Sequence, residues 1–313
     1  MAIIQELLFD LIDCNNPFKN TNHVENILGE IEQEFESDVL VFHGVMDGKL
    51  MPMLTNAINY VAKQTGKKDR LTIILNSPGG EYFHVFEFLD KFYGSKIYKE
   101  LWIVVNGRVC SCAAFFSLFA EKLFVFPDSG FGKSWFGMID PQCSICENEF
   151  TSVFNLLKQN NVSFKPLTVD VVESGEGFIK VDNLYQDETI VKCCNLLNEI
   201  TLKAFKAIMV HNFQGRGMKQ SAIDIINLLM LGLSNEWNHD CLISPDYLRD
   251  LNLQLFSIEN FKQNKSFGLL NKYNEIMSKH LVQGNLENNA NINIEQRSNL
   301  LNFYIQTKKT IVF

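Results

Sequence analysis

The chain lacks any uninterrupted apolar run of about eighteen residues, the length at which a segment becomes a candidate membrane-crossing helix. Its first residues, MAIIQELLFDLIDCNN, carry acids where a secretory leader would have a basic start and an apolar centre. Basic charge is in deficit: 28 Lys and Arg against 36 Asp and Glu leave a net charge of −8. No arginine-rich or basic-aromatic stripe offsets that acidity, which argues against a nucleic-acid partner. Cys143 and Cys146 form a CxxC, but no second pair and no histidine stands at metal-ligand spacing beside it, so no metal site and no organic cofactor is expected. Cys110, Cys112, Cys193 and Cys194 also lie in or beside apolar segments, as small packing residues in a reducing compartment. The expectation is a cytoplasmic protein, and the 46% hydrophobic content of 313 residues is enough for one large domain with a smaller appendage.

Short apolar strands alternate with helical patterns through the first half. Asp38 to His43, Leu71 to Leu75 and Leu101 to Val105 read as strands, with helices over Leu50 to Lys63 and Glu81 to Tyr93 between them. A further unit follows, a helix over Cys110 to Ala120 and a strand over Lys122 to Phe126. This order predicts an α/β fold with a largely parallel sheet. The helix predicted over Met218 to Leu231 turns Ile223, Ile226, Leu229 and Met230 to one side, for packing or for oligomer contacts. The asparagine-rich end, 259–313, reads as an extension, and 1–35 as an N-terminal helical segment.

The turn Asn76-Ser77-Pro78-Gly79-Gly80 hands a strand to a helix whose Val85, Phe86, Leu89 and Phe92 share a face. Without a Cβ, Gly79 and Gly80 leave backbone N–H groups that a ligand atom or a peptide backbone can approach. The plainer alternative is a glycine-rich connection that binds nothing. Sites in parallel sheets lie beyond the carboxyl ends of the strands, so this turn and NGRVCSCAAFF, after Val105, should share a rim. In that second turn Gly107 is expected to close a strand. Ser111 then falls in the first turn of a small-residue helix, where free N–H groups favour developing negative charge and where serine is also an ordinary N-cap.

Together, NSPGG and the serine of NGRVCSCAA resemble the proteolytic subunit of the Clp protease and its relatives in the Clp protease and crotonase superfamily. That resemblance implies repeated ββα units, Ser111 as nucleophile, the N–H groups of Gly80 and Cys112 as oxyanion hole, and Pro78 and Gly79 along the edge where an extended substrate is laid. The segments AEKLFVFPDSGFGKSWFGMIDPQ and NEWNHDCLISPDYLRDLNLQL are similar to the serine dehydrogenase proteinase family, relatives of signal peptide peptidase A, through their Asp-Pro-Gln and Trp-x-His-Asp elements. The resemblance covers residues 36 to 258. It is broken where Ser111-Cys112-Ala113 replaces Ser-Ala-Gly, and where Gly132 to Phe136 is inserted before Asp-Pro-Gln. No histidine stands in Pro127 to Gly137, where the Clp subunit would supply its base.

Signal peptide peptidases use a lysine as base, which the resemblance carries to the helix DETIVKCCNLLNEITLKAFKAIMVHNF. Family position favours Lys203; Lys192, on nearly the same side of the helix, and His84, four residues past Gly80, are the alternatives. His239 and Asp240 are expected to be structural. The implied activity is hydrolysis of peptides or unfolded protein by a Ser-Lys endopeptidase that forms a homo-oligomer. A catalytically idle interaction module and acyl-CoA chemistry of the crotonase kind are the rivals.

Overall fold

The structure, a computed structural model, describes residues 21–63, 68–127, 133–146, 149–160, 162, 167–174, 188–211, 218–231, 241–261, 265–275, 304–306 and 311–312. Helix α1 (Thr21–Phe35) leads into strand β1 (Asp38–His43), and three strand-helix alternations follow: α2 (Leu50–Ala62), β2 (Arg70–Ser77), α3 (Tyr82–Ser95), β3 (Glu100–Val109), α4 (Cys112–Ser117) and β4 (Lys122–Val125). β1 to β4 lie side by side in chain order and all are parallel. Crossovers of one hand between successive neighbours carry every connecting helix to the same face.

Alternation along the strands divides the interior. Leu40, Phe42, Leu71, Ile73, Leu75, Leu101, Ile103 and Val105 point to α2, α3 and α4, while Val39, Val41, Ile74, Trp102 and Val104 point the other way. The second face is covered by Ile27, Leu28, Ile31 and Phe35 of α1 and by Leu269, Leu270 and Tyr273 from a helix over 265–275. With apolar side chains on both faces, the strands read as near-continuous hydrophobic runs, which is why they were legible as buried parallel strands. Beyond the four, β9 (Leu255–Ser257) extends the sheet past β4, and β10 (Tyr304–Gln306) with β11 (Ile311–Val312) covers the β1 edge in antiparallel pairing. β6 (Gln142–Cys146) and β7 (Glu149–Ser152) form a separate hairpin, in which the side chains of Cys143 and Cys146 lie outside the described residues.

Two expectations about the second turn need correction. Gly107 does not close β3: the strand bulges there, at φ 108, and runs on to Val109, where Arg108 and Val109 pair with β5 (Trp135–Gly137). The helix after it is shorter than Cys110 to Ala120, because Leu118, Phe119 and Ala120 donate to the third residue back and tighten the chain out of α-helix. Further along, α5 (Val153–Gln159), α6 (Val169–Ser174) and α7 (Glu188–His211) precede α8 (Met218–Ile226), which widens into a π turn over Asn227–Leu231; β8 (Leu242–Ile243) and α9 (Pro245–Asp250) follow. Ile223, Ile226, Leu229 and Met230 are all buried, as their spacing predicted.

Phe35 joins α1 to the sheet by ring contacts with Trp102, Phe124 and Phe261. Phe35→Ala should therefore cost about 3–5 kcal/mol, read as a lower urea midpoint with an unchanged slope.

Candidate active site

The Asn76 to Gly80 turn is held through Asn76, Ser77 and Gly79. The Asn76 amide nitrogen stands 3.2 Å from Nδ1 of His43 at the end of β1, and its carbonyl oxygen accepts the Arg108 N–H of β3 at 3.4 Å. The Gly107 bulge makes room for this side chain, since a Cβ there would lie 2.9 Å from the Asn76 amide nitrogen. Ser77 accepts the Gly79 N–H on its hydroxyl at 3.1 Å and the Cys110 N–H on its carbonyl at 3.1 Å. Met46 then donates to the Gly79 carbonyl at 2.8 Å and accepts from Glu81 at 2.9 Å. In such a parallel bridge the flanking groups point to the partner, so the N–H and C=O of Gly80 itself point away from Met46.

Neither glycine tolerates a side chain. A Cβ on Gly79 would stand 2.7 Å from the Cys110 carbonyl oxygen and 2.8 Å from the Ser111 Cβ, and one on Gly80 would stand 2.4 Å from the Met46 carbonyl oxygen. Both residues have positive φ, at 105 and 153. Closeness to the Cys110-Ser111 backbone is the reason for Gly79, and closeness to the Met46 backbone the reason for Gly80.

Ser111 occupies the N-cap position of α4 at φ 50 and ψ −125, a combination that L-residues rarely adopt and that costs about 1–3 kcal/mol. Its N–H donates to the Met138 carbonyl at 2.9 Å and its carbonyl accepts from Phe115 at 3.1 Å. Its hydroxyl caps nothing. Among the described residues, Gly80 N–H and Cys112 N–H find no acceptor; Cys112 directly follows Ser111, and Gly80 directly follows Gly79, which lies against Ser111. α4 has only six residues, so directed N–H groups rather than a long helix dipole are what the site offers to negative charge. The Cys112 side chain is fully buried, and burial pushes its thiol far above the ordinary cysteine range, which leaves it inert.

Among the described residues, the hydrogen-bond partner of the Ser111 hydroxyl is Tyr82, whose phenolic oxygen lies 3.4 Å from Oγ. Sequence reasoning missed it, although it stands one helical turn before Phe86 on the face already identified. Burial first, and the Cys112 and Asp140 side chains beside it, hold the phenol well above its usual pKa. Asp140 of the Asp-Pro-Gln element is itself buried and accepts from the Ser152 hydroxyl at 2.6 Å.

The lysines and His84 are not in contact with Ser111. Lys203 Nζ lies 4.1 Å above the Phe86 ring and 3.3 Å from Glu199 Oε1; Phe86 in turn packs on Phe115 and Tyr82, so one aromatic ring separates the ammonium from the residue that touches Ser111. Lys192 is exposed and paired with Glu188 at 2.8 Å. His84 pairs with Glu81 at 3.3 Å and packs on Gly48. His239 and Asp240 lie outside the described residues.

No family model matches the chain, and no curated protein matches it. Solved structures similar to it include a membrane-bound stomatin-specific protease (1510-N) in two mutant forms, one with a substrate peptide. Each has 12% identity and TM-score 0.41 and covers 70% of this chain, and they are covered over 79% and 75% of their own length. A third is the Clp protease catalytic domain from Plasmodium falciparum, at 17% identity and TM-score 0.29, over 40% of this chain and 63% of that one. At these values no residue role carries across; what the site can do rests on its own geometry.

His43 offers a test of the turn's anchoring. Burial, then the Arg108 charge, pushes its imidazole from 6.5 down to about 4. A folded-state value below the unfolded one means that stability is complete above pH 6.5 and is lost as pH falls towards 4. The loss should approach about 1.4 kcal/mol per pH unit. His43→Gln should flatten that part of the pH-stability curve, measured by urea unfolding.

Proposed function

We propose that this chain is a serine peptidase in which Ser111 attacks a peptide carbonyl, Gly80 and Cys112 receive the oxyanion on their N–H groups, and Lys203 is the general base. The backbone of Ser111 carries this reading. The other serines at N-cap positions among the described residues, Ser152, Ser244 and Ser257, sit at φ −58, ψ 133, φ −73, ψ 152 and φ −72, ψ 126, an extended backbone they share although Ser244 alone accepts a capping N–H, that of Tyr247. Ser111 sits at φ 50, ψ −125 and accepts no such bond. Strain without a capping return, beside two N–H groups that lack acceptors, fits a hydroxyl presented for attack.

An extended peptide laid along the outward N–H and C=O of Gly80 would continue the Met46–Gly80 bridge as one more strand, past Pro78 and Gly79. Its carbonyl carbon takes Oγ, the Oγ proton passes to Lys203 acting as the free amine after its ammonium has given up a proton to solvent, and the leaving amine takes that proton from the ammonium so formed. Water then hydrolyses the acyl-enzyme by the reverse sequence. Lys203 is preferred to Lys192 because its ammonium already rests on the aromatic ring adjoining Tyr82, whereas Lys192 is exposed and ion-paired. Its engagement requires release from Glu199 and rotation past Phe86. The substrate class is peptide or unfolded protein, and the working form is a closed homo-oligomer.

A second reading is an idle member of the same fold that serves as an interaction module. It is favoured by the 7% exposure of Ser111 and by Lys203 standing off the hydroxyl.

Labelling with a fluorophosphonate separates the two. Wild type should be labelled on Ser111, and Ser111→Ala should lose all labelling while keeping a cooperative thermal transition, since what it removes is one hydrogen bond to the buried Tyr82 phenol, a loss of about 1–3 kcal/mol. An unlabelled wild type would establish the idle reading.

Lys203→Ala should lower peptidase activity on unfolded casein by about a hundredfold or more, and Lys192→Ala by less than about threefold. The opposite ranking would move the base to Lys192.

A further inference from the structure

The ring of Tyr82 belongs to an aromatic layer in which phenylalanine would serve as well. It packs on Phe115 at 5.8 Å and on Phe86 at 6.3 Å, both ring neighbours lacking any polar group. Its residue is 7% exposed, so the hydroxyl is out of reach of bulk water. A buried phenol without a partner costs about 1–3 kcal/mol, and the partner this one has is the Ser111 hydroxyl. One hydrogen bond joins the two buried hydroxyls, and one of them is the reacting atom of the proposed peptidase.

We propose that Tyr82 is a catalytic residue of the Ser111 site, a hydrogen-bond donor to Oγ that orients the serine for attack and stabilises Oγ when it departs from the acyl-enzyme. This rests on the reading of Ser111 as nucleophile. Tyr82 does not act as the base. Held protonated by its surroundings, its oxygen keeps its hydrogen throughout and only shares it. With the Tyr82 O–H occupying one lone pair of Oγ, the serine's own proton points elsewhere, towards the base.

The consequences differ between the two halves of the reaction. In acylation Oγ attacks, and a donor on it aligns the oxygen but also draws off electron density, so the net effect is small. In deacylation water adds to the acyl carbon and gives a proton to the base. The C–Oγ bond then breaks, Oγ recovers a proton from the base, and the carboxylic acid leaves. Negative charge grows on Oγ only in this second half, and there the Tyr82 hydrogen bond strengthens. Removal of the hydroxyl should therefore slow deacylation selectively.

Tyr82→Phe in the full chain tests this with two probes. A fluorophosphonate reports the attack of Ser111 alone, and para-nitrophenyl acetate reports both halves through its burst and steady state. We expect Tyr82→Phe to be labelled at a rate within about threefold of wild type, with an ester burst of full amplitude but a steady-state rate reduced about tenfold to a hundredfold, and with acetyl-enzyme visible by intact mass. Equal steady-state rates in mutant and wild type would make Tyr82 a packing residue and overturn the proposal while Ser111 stood as nucleophile. A fall in labelling and steady state by the same factor would overturn it as well, since the hydroxyl would then act only in attack. Absence of labelling and burst in wild type would remove the Ser111 reading and this proposal with it. If Tyr82→Phe has no cooperative thermal transition, a meta-fluorinated tyrosine at position 82 keeps the ring and makes a stronger donor. Deacylation should then quicken, and an unchanged rate would count against Tyr82.

Discussion

Everything around Ser111 depends on two peptide units that no side chain separates from their neighbours. Gly79 and Gly80 run between Met46 on one side and the Cys110-Ser111 turn on the other, at distances where a single added carbon would overlap backbone on both. A rotamer change could relieve overlap with a side chain tip, but the atoms met here are the Met46 and Cys110 carbonyl oxygens, which are fixed by the sheet and by α4. The glycines therefore join three consecutive parallel strands at their carboxyl ends into one rim. Asn76 makes the same connection with its side chain, reaching His43 of β1 and the Arg108 backbone of β3. A rim fixed in this way can hold Ser111 in a conformation that an isolated turn would abandon.

That rim is backed by a dry aromatic layer. Tyr82, Phe86, Phe115 and Phe119 form ring contacts behind Ser111, and α4 is buried on every side. Low polarity there makes an unpaired hydrogen-bonding group expensive, which gives weight to the Cys112 N–H, without an acceptor among the described residues; Gly80 is exposed, so its N–H stands open to solvent or to a ligand. It also explains why Cys112 stands beside the proposed nucleophile without being reactive itself: its thiolate would be as poorly solvated as any charge in that layer.

The strands were legible because burial on both faces leaves continuous apolar runs, and the glycine turn because positive φ selects glycine. Asp38–His43 was located to the residue for that reason. The bulge at Gly107 was not legible, because a glycine marks the end of a strand and a bulge within it alike; only the pairing of Arg108 and Val109 with β5, whose sequence lies after a further strand, decides between them. Tyr82 was on the page as one turn before Phe86, but a tyrosine on a buried helix face reads as core, and the oxygen that sets it apart meets its partner across 29 residues of chain. The distance between Lys203 and Ser111 was equally beyond reach, since helical spacing gives the side of α7 that a lysine occupies and nothing about the ring it meets on another helix.

The aromatic layer also imposes an order on the proposed chemistry. Lys203 rests on the outer side of Phe86 and Ser111 lies on the inner side of Tyr82, two residues one helical turn apart on α3. An ammonium held over an aromatic face gains about 0.5–1 kcal/mol at an exposed site, and the exposed ion pair with Glu199 adds at most about as much again. Those attractions are small beside a strained backbone and a buried hydroxyl pair, so the lysine is the component of the site that moves at least cost. On the proposed reading, Ser111 and the Gly80 and Cys112 N–H groups are fixed by the fold, and Lys203 is the part left adjustable.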